Sequence, residues 1–115
     1  MRTNSTAIPI TAPNGRLDPF LGARLARSMR GVASRDGSDP VLDLRAVPAL
    51  DNDAIRAIIK IVRGLHSAGR HLRVVVEDAA AHALLRSMAL DRVFRIYPTL
   101  ESALAGDRPR QLLSA

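Results

Sequence analysis

The apolar positions along the chain fall into short segments of two kinds. Ile8 to Thr11 reads as a short strand, confined to a sheet edge because the Pro9 nitrogen cannot donate to a ladder. Pro13-Asn14-Gly15 is a turn signal, since Asn and Gly tolerate positive φ. Asp18 is then placed to cap a helix with Pro19 at its first position. Leu21, Leu25, Met29 and Val32 recur at helical spacing and give that helix its inner face, with Arg24 and Arg27 elsewhere on the circumference. Ser34 to Pro40 is a loop by composition. Val41 to Leu44 reads as a short strand, and Ala46 to Leu50 links it onward.

Asp51-Asn52-Asp53 opens the clearest helix. Ile55, Ile58, Ile59, Val62 and Leu65 form a full apolar stripe, while Arg56, Lys60 and Arg63 line another face. The helix is expected to end near Ala68, with Gly69 where a left-handed residue closes it. Leu72 to Val76 has the β-branched density of a buried strand. Ala79 to Met88 is a third helix, expected to turn Leu84, Leu85 and Met88 inward. Val93 to Tyr97 is a strand stopped by Pro98. Thr99 caps a last helix, Leu100 to Ala105, followed by Gly106. Strands and helices alternate after residue 40, the pattern of an α/β domain with a largely parallel sheet and right-handed crossovers. The domain is expected to span 8–106, with flexible ends at 1–7 and 107–115. No repeat and no second domain is visible.

Length agrees, since 115 residues make one domain with one ordinary core, and the 47% hydrophobic content is globular rather than disordered. No apolar run approaches a membrane span, and the first residues hold no apolar core of a signal peptide, so a cytoplasmic location without membrane insertion is expected. The absence of cysteine excludes a disulfide framework, a thiol nucleophile and a thiolate metal site. The net charge is +6, and Lys60 is the only lysine among the 17 basic residues. Such a balance suits an anionic partner, although the arginines are spread along the whole chain.

Catalytic signatures are missing. There is no G-x-S-x-G elbow, Walker lysine loop or G-x-G-x-x-G turn. His66, His71 and His82 lack metal-ligand spacing, and a zinc site needs three or four convergent ligands, so they read as structural. Asp43 and Asp51 flank one loop in the manner of an acid and base pair. Structural use explains them better, since one ends a strand and the other can cap a helix. The chain therefore reads as a non-enzyme without a cofactor. Nucleic-acid binding rests on charge alone: Phe20, Phe94 and Tyr97 are the only aromatic residues, and two of them read as core, leaving few stacking platforms.

Several motifs, taken in order, resemble those of the STAS domain family of bacterial anti-sigma factor antagonists. They are Gly15-Arg16-Leu17-Asp18 before the first helix, the Val41-Leu42-Asp43-Leu44 strand, Leu50-Asp51-Asn52-Asp53-Ala54, Ala68-Gly69-Arg70 before LRVVV, and Leu90 to Tyr97 followed by Leu100 to Leu104. The resemblance runs from about Ile8 to Ala105. It implies a single STAS-like domain, a mixed and mostly parallel sheet with helices packed mainly on one face. It also implies a regulatory protein that binds an anti-sigma factor kinase and so frees a sigma factor.

In that family the serine after the aspartate accepts phosphate from the kinase. Here that position is Asn52, which has no hydroxyl; Asp53 and Ala54 follow, and Ala89 stands where a glycine is common. Two readings follow: Asn52 mimics the unphosphorylated, binding-competent state, or the Asp53 charge partly mimics the phosphorylated one. Plain helix capping accounts for the same residues. The expected contact surface is the 48–53 loop with Asp51, Asn52 and Asp53, then Arg56 and Lys60, whose charge would speed encounter with an acidic surface. Ser67 and Ser87 remain open as substitute acceptors. The alternative implied by the resemblance is a small subunit regulating a transporter ATPase, where no phosphorylatable serine is needed.

Overall fold

A computed structural model describes residues 8–106, so the expected flexible ends, 1–7 and 107–115, lie outside the described residues. The strands are β1 (Ile10–Thr11), β2 (Val41–Asp43), β3 (Arg73–Val75) and β4 (Arg95–Tyr97). The helices are α1 (Pro19–Asp36), α2 (Asn52–His66), α3 (Ala79–Ser87) and α4 (Leu100–Ala105). A 3₁₀ turn at Leu90–Arg92 leads into β4. The sheet order is β1-β2-β3-β4, and every described neighbour is parallel.

That order explains the layering. Each strand lies beside the one before it, and right-handed crossovers that always advance in one direction carry their helices to one face. Leu42, Val74 and Ile96 share a register row on that face, where they meet Met29, Ile58, Ile61 and Leu65. The other face holds Val41 and Val75, covered by Ala103 and Leu100 of α4. α4 follows the last strand, so no crossover constrains its side.

The caps foreseen for α1 and α2 are formed. Asp18 accepts a hydrogen bond from the Leu21 N–H at 2.9 Å, and Asp51 accepts one from the Ala54 N–H at 2.9 Å. α1 runs further than expected, through Ser34 to Asp36, until Gly37 at φ 74° turns left-handed and its N–H reaches the Ala33 carbonyl. The left-handed stop was there to be read, but the polar run around it looks like loop.

Leu84 in α3 and Met88 at its C-cap correct the expectation of an inward row. Leu85 is fully buried, while Leu84 is 41% and Met88 46% exposed. α3 spans the last crossover and stands at the edge of the helical layer, so no further helix covers a second apolar row. Gly69 takes the expected left-handed φ of 74°, although α2 itself closes at His66.

Ala89 is the one described residue other than glycine with positive φ, at 59°. A Cβ in this region crowds the following carbonyl and costs about 1–2 kcal/mol. Ala89→Gly is therefore expected to raise stability by about 1 kcal/mol, read as a higher urea midpoint with an unchanged slope. A lower midpoint would show that the Ala89 methyl group contributes more than its backbone costs.

Candidate functional site

The parallel order brings the C-terminal ends of β2 and β3 together, and the β2–α2 and β3–α3 loops enclose an open depression of about 710 Å³. Pro48, Ala49 and Leu50 line one side, and Ala81 and Leu84 of α3 the other. The exposure of Leu84 is thus part of an apolar rim. Asp51 and the first turn of α2 follow directly from Leu50.

Asp43, at the end of β2, is buried and held by Arg45. The Arg45 Nε donates to Asp43 Oδ1 at 2.9 Å and its Nη2 to Oδ2 at 2.7 Å, a two-point clasp, while the Arg45 N–H adds a third bond at 3.1 Å. The Arg45 hydrogen bonds hold the Asp43 carboxyl below its ordinary range, against the opposing effect of burial. Asp51 is engaged in capping α2. The acid and base pairing of Asp43 with Asp51 is not formed: each carboxylate has its own structural partner.

Arg16 was not picked out as a site residue in the sequence, and it changes how the 51–53 segment reads. Its Nη2 donates to Asp53 Oδ2 at 2.7 Å, and its Nη1 lies 4.0 Å from Asp51 Oδ2. The loop before α1 therefore lays a guanidinium across the start of α2. Both partners are substantially exposed, so the pair is worth at most about 1 kcal/mol of stability. Its electrostatic consequence is clearer, because Asp53 does not present a bare negative charge. The signal was present in Gly15-Arg16-Leu17-Asp18, but contact across 37 positions is not a local pattern.

Asn52 is exposed as the first residue of α2. Arg56 follows one turn later, and Lys60 another turn on, roughly 12 Å from Asn52 along the axis. Both are exposed on the outer face, and Lys60 lines a groove beside α1 rather than the loop depression. Ser67 and Ser87 donate their hydroxyls to Gly64 and Leu84 carbonyls at 2.8 Å. Each stands at a helix C-terminus, where a phosphate meets the negative end of the dipole, so neither reproduces an acceptor at a helix start. His66 and His71 meet edge to face at 5.5 Å. Among the described residues no group of three or more His, Asp or Glu side chains is arranged to hold a metal ion.

The STAS domain family model matches residues 5–103. The chain belongs to the STAS domain family. Solved structures agree on the fold. A crystal structure of a candidate anti-sigma factor antagonist from Thermotoga maritima superposes with a TM-score of 0.67 at 23% identity, over 87% of this chain and 86% of that one. An NMR structure of that same protein, TM1081, gives 0.68 at 22% identity, covering 88% and 82%. The STAS domain of a SulP transporter from Vibrio cholerae gives 0.64 at 19% identity, covering 94% and 85%. No curated protein is similar enough in sequence to match the chain. STAS domains are in general regulatory rather than enzymatic and act by binding other proteins. No helix of the described residues of this STAS domain is long and apolar enough to cross a membrane.

Proposed function

We propose that this STAS domain is a cytoplasmic, non-catalytic anti-sigma factor antagonist that binds an anti-sigma factor kinase and so releases a sigma factor. It needs no cofactor and works without a phospho-switch at position 52. The observation that carries this reading is the start of α2: an exposed Asn52 beside an Asp53 whose charge Arg16 offsets, next to a depression lined by both apolar residues and Arg45, Glu77 and Asp78. A serine phosphate at this place would bring nearly two negative charges to the contact surface. Asn52 cannot acquire them, and the charge already present is paired. Of the two readings of the 51–53 segment, the geometry favours permanent resemblance to the unphosphorylated, binding-competent state.

The Pro48-Ala49-Leu50 segment and Leu84 supply the apolar part of the contact. Arg56, one turn into α2, supplies charge at its rim, where it acts more on encounter rate than on affinity. The test is capture from native cytoplasm with magnesium and ATP, identification of the captured protein, and reconstitution with the purified partner. The expected result is a kinase of the sigma-regulating type that binds the chain and transfers no phosphate to it, yet phosphorylates Asn52→Ser at that position. Capture of a transporter ATPase without such a kinase would replace this reading with the alternative. The missing hydroxyl and the shared fold with a SulP transporter domain both favour that alternative.

A further inference from the structure

The outer surface of the α1–α2 pair has a charge distribution of which the loop site uses only Arg56. Arg24, Arg27 and Arg30 on α1 and Arg56, Lys60 and Arg63 on α2 are exposed. None of them makes a hydrogen bond or ion pair with a described residue. There is no acidic residue from Pro19 to Arg35, nor from Ala54 to His66. These cations equal in number the +6 formal charge of the whole chain, so the rest of the sequence is balanced and the excess lies on this face.

Four of the cations surround a groove of about 340 Å³ between the two helices. Arg27 and Arg30 stand on one side and Lys60 and Arg63 on the other, over Ala23, Ala26 and Gly64. The groove is shallow because the helices touch beneath it: a Cβ built on Gly64 would lie 3.3 Å from the Ala26 Cβ.

We infer that this groove seats an acidic amphipathic helix of a partner protein, with carboxylates on both flanks and small apolar side chains on the Ala23–Ala26–Gly64 floor. Arginine forks match carboxylates in a bidentate manner, and two rows of cations flanking an apolar strip fit a helix laid across a helix pair. A nucleic acid would leave the apolar floor unused, and no aromatic side chain lines the groove for stacking. Phe20 is the only large exposed apolar residue on these helices, too little to hold a membrane surface. The chain's own ends do not supply the counter-charge: residues 1–7 carry Arg2 and no acid, and residues 107–115 carry Asp107 against Arg108 and Arg110.

The test is an NMR titration of the ¹⁵N-labelled full chain with a synthetic helical peptide of Glu and Ala only, two Glu rows flanking an Ala row. Expected are amide shifts confined to 23–30 and 60–64 at low salt, fading as salt screens the contact. Arg27→Glu/Arg30→Glu should weaken binding about tenfold or more, and the milder Arg63→Gln should weaken it less. Absence of shifts at low salt, shifts elsewhere, or equal binding by the folded double variant would overturn the inference. So would tighter binding of duplex DNA or phosphatidylserine vesicles at this face, or sedimentation showing that a second copy of the chain occupies it. The double variant leaves the 48–53 loop, Arg56 and Lys60 intact, so capture of a kinase fails or succeeds independently of this surface.

Discussion

Gly22→Ala is expected to lower the stability of the folded chain by about 1–3 kcal/mol, the usual cost of overpacking a close contact. A Cβ on Gly22 would lie 2.6 Å from the Ala57 Cα, 2.7 Å from its Cβ and 2.9 Å from its carbonyl oxygen. The obstructing atoms are mainly backbone, so the strain is relieved only if α1 and α2 move apart. Alanine's better helix propensity, about 1 kcal/mol over glycine, offsets part of this loss. Gly31→Ala is the control. It lies in the same helix with nothing within 4 Å of its added Cβ, and its expected change is a gain of up to about 1 kcal/mol. Urea unfolding of the two variants should therefore move the midpoint in opposite directions at similar slope. A Gly22→Ala midpoint at or above that of the unsubstituted chain would mean that the helices are not in contact at this point. The consequence reaches the surface, because the same contact brings the α1 and α2 cations to the two sides of one groove.

Arg73→Met is expected to cost about 1.5–3 kcal/mol, the range for losing hydrogen bonds from a charged donor. Arg73 is only 4% exposed, and its Nη1 donates to the Ala103 carbonyl at 2.7 Å and more weakly to the Leu104 carbonyl at 3.4 Å. It thus places a cation at the C-terminus of α4, where the helix dipole is negative. Methionine keeps much of the apolar stem and removes the desolvation of a buried charge, which sets a limit on the loss. The loss should be local: hydrogen exchange of the α4 amides should accelerate well before that of α2. Uniform acceleration, or none, would mean that Arg73 does not anchor α4. A freed α4 would expose Val41 and Val75, the apolar pair it covers.

Most of α2 was legible in advance because its information is local. The Asp51 cap reaches three residues ahead, and Ile55, Ile58, Val62 and Leu65 are buried as their spacing requires. The strands were legible as to place but not as to length, since ladder pairing ends sooner than β-branched composition does. The fold class was legible because alternating strands and helices with short connections leave few ways to close a sheet. The candidate site was half legible. Asp51, Asn52 and Asp53 do stand at the exposed start of α2. Lys60 stands two turns further along α2, beside the α1–α2 groove, a position that depends on how the helices pack.

The helices and strands, the caps at Asp18, Asp51 and Thr99 and the parallel α/β class were legible along the chain, because each depends on residues a few positions apart. The tertiary structure alone decided that Arg16 offsets Asp53, that Arg73 caps α4, that Gly22 admits Ala57, and that Leu84 stays at a rim. These are contacts between residues about thirty or more positions apart, or consequences of standing at the edge of a layer. No local period encodes them; they arise when sheet order fixes which helices become neighbours.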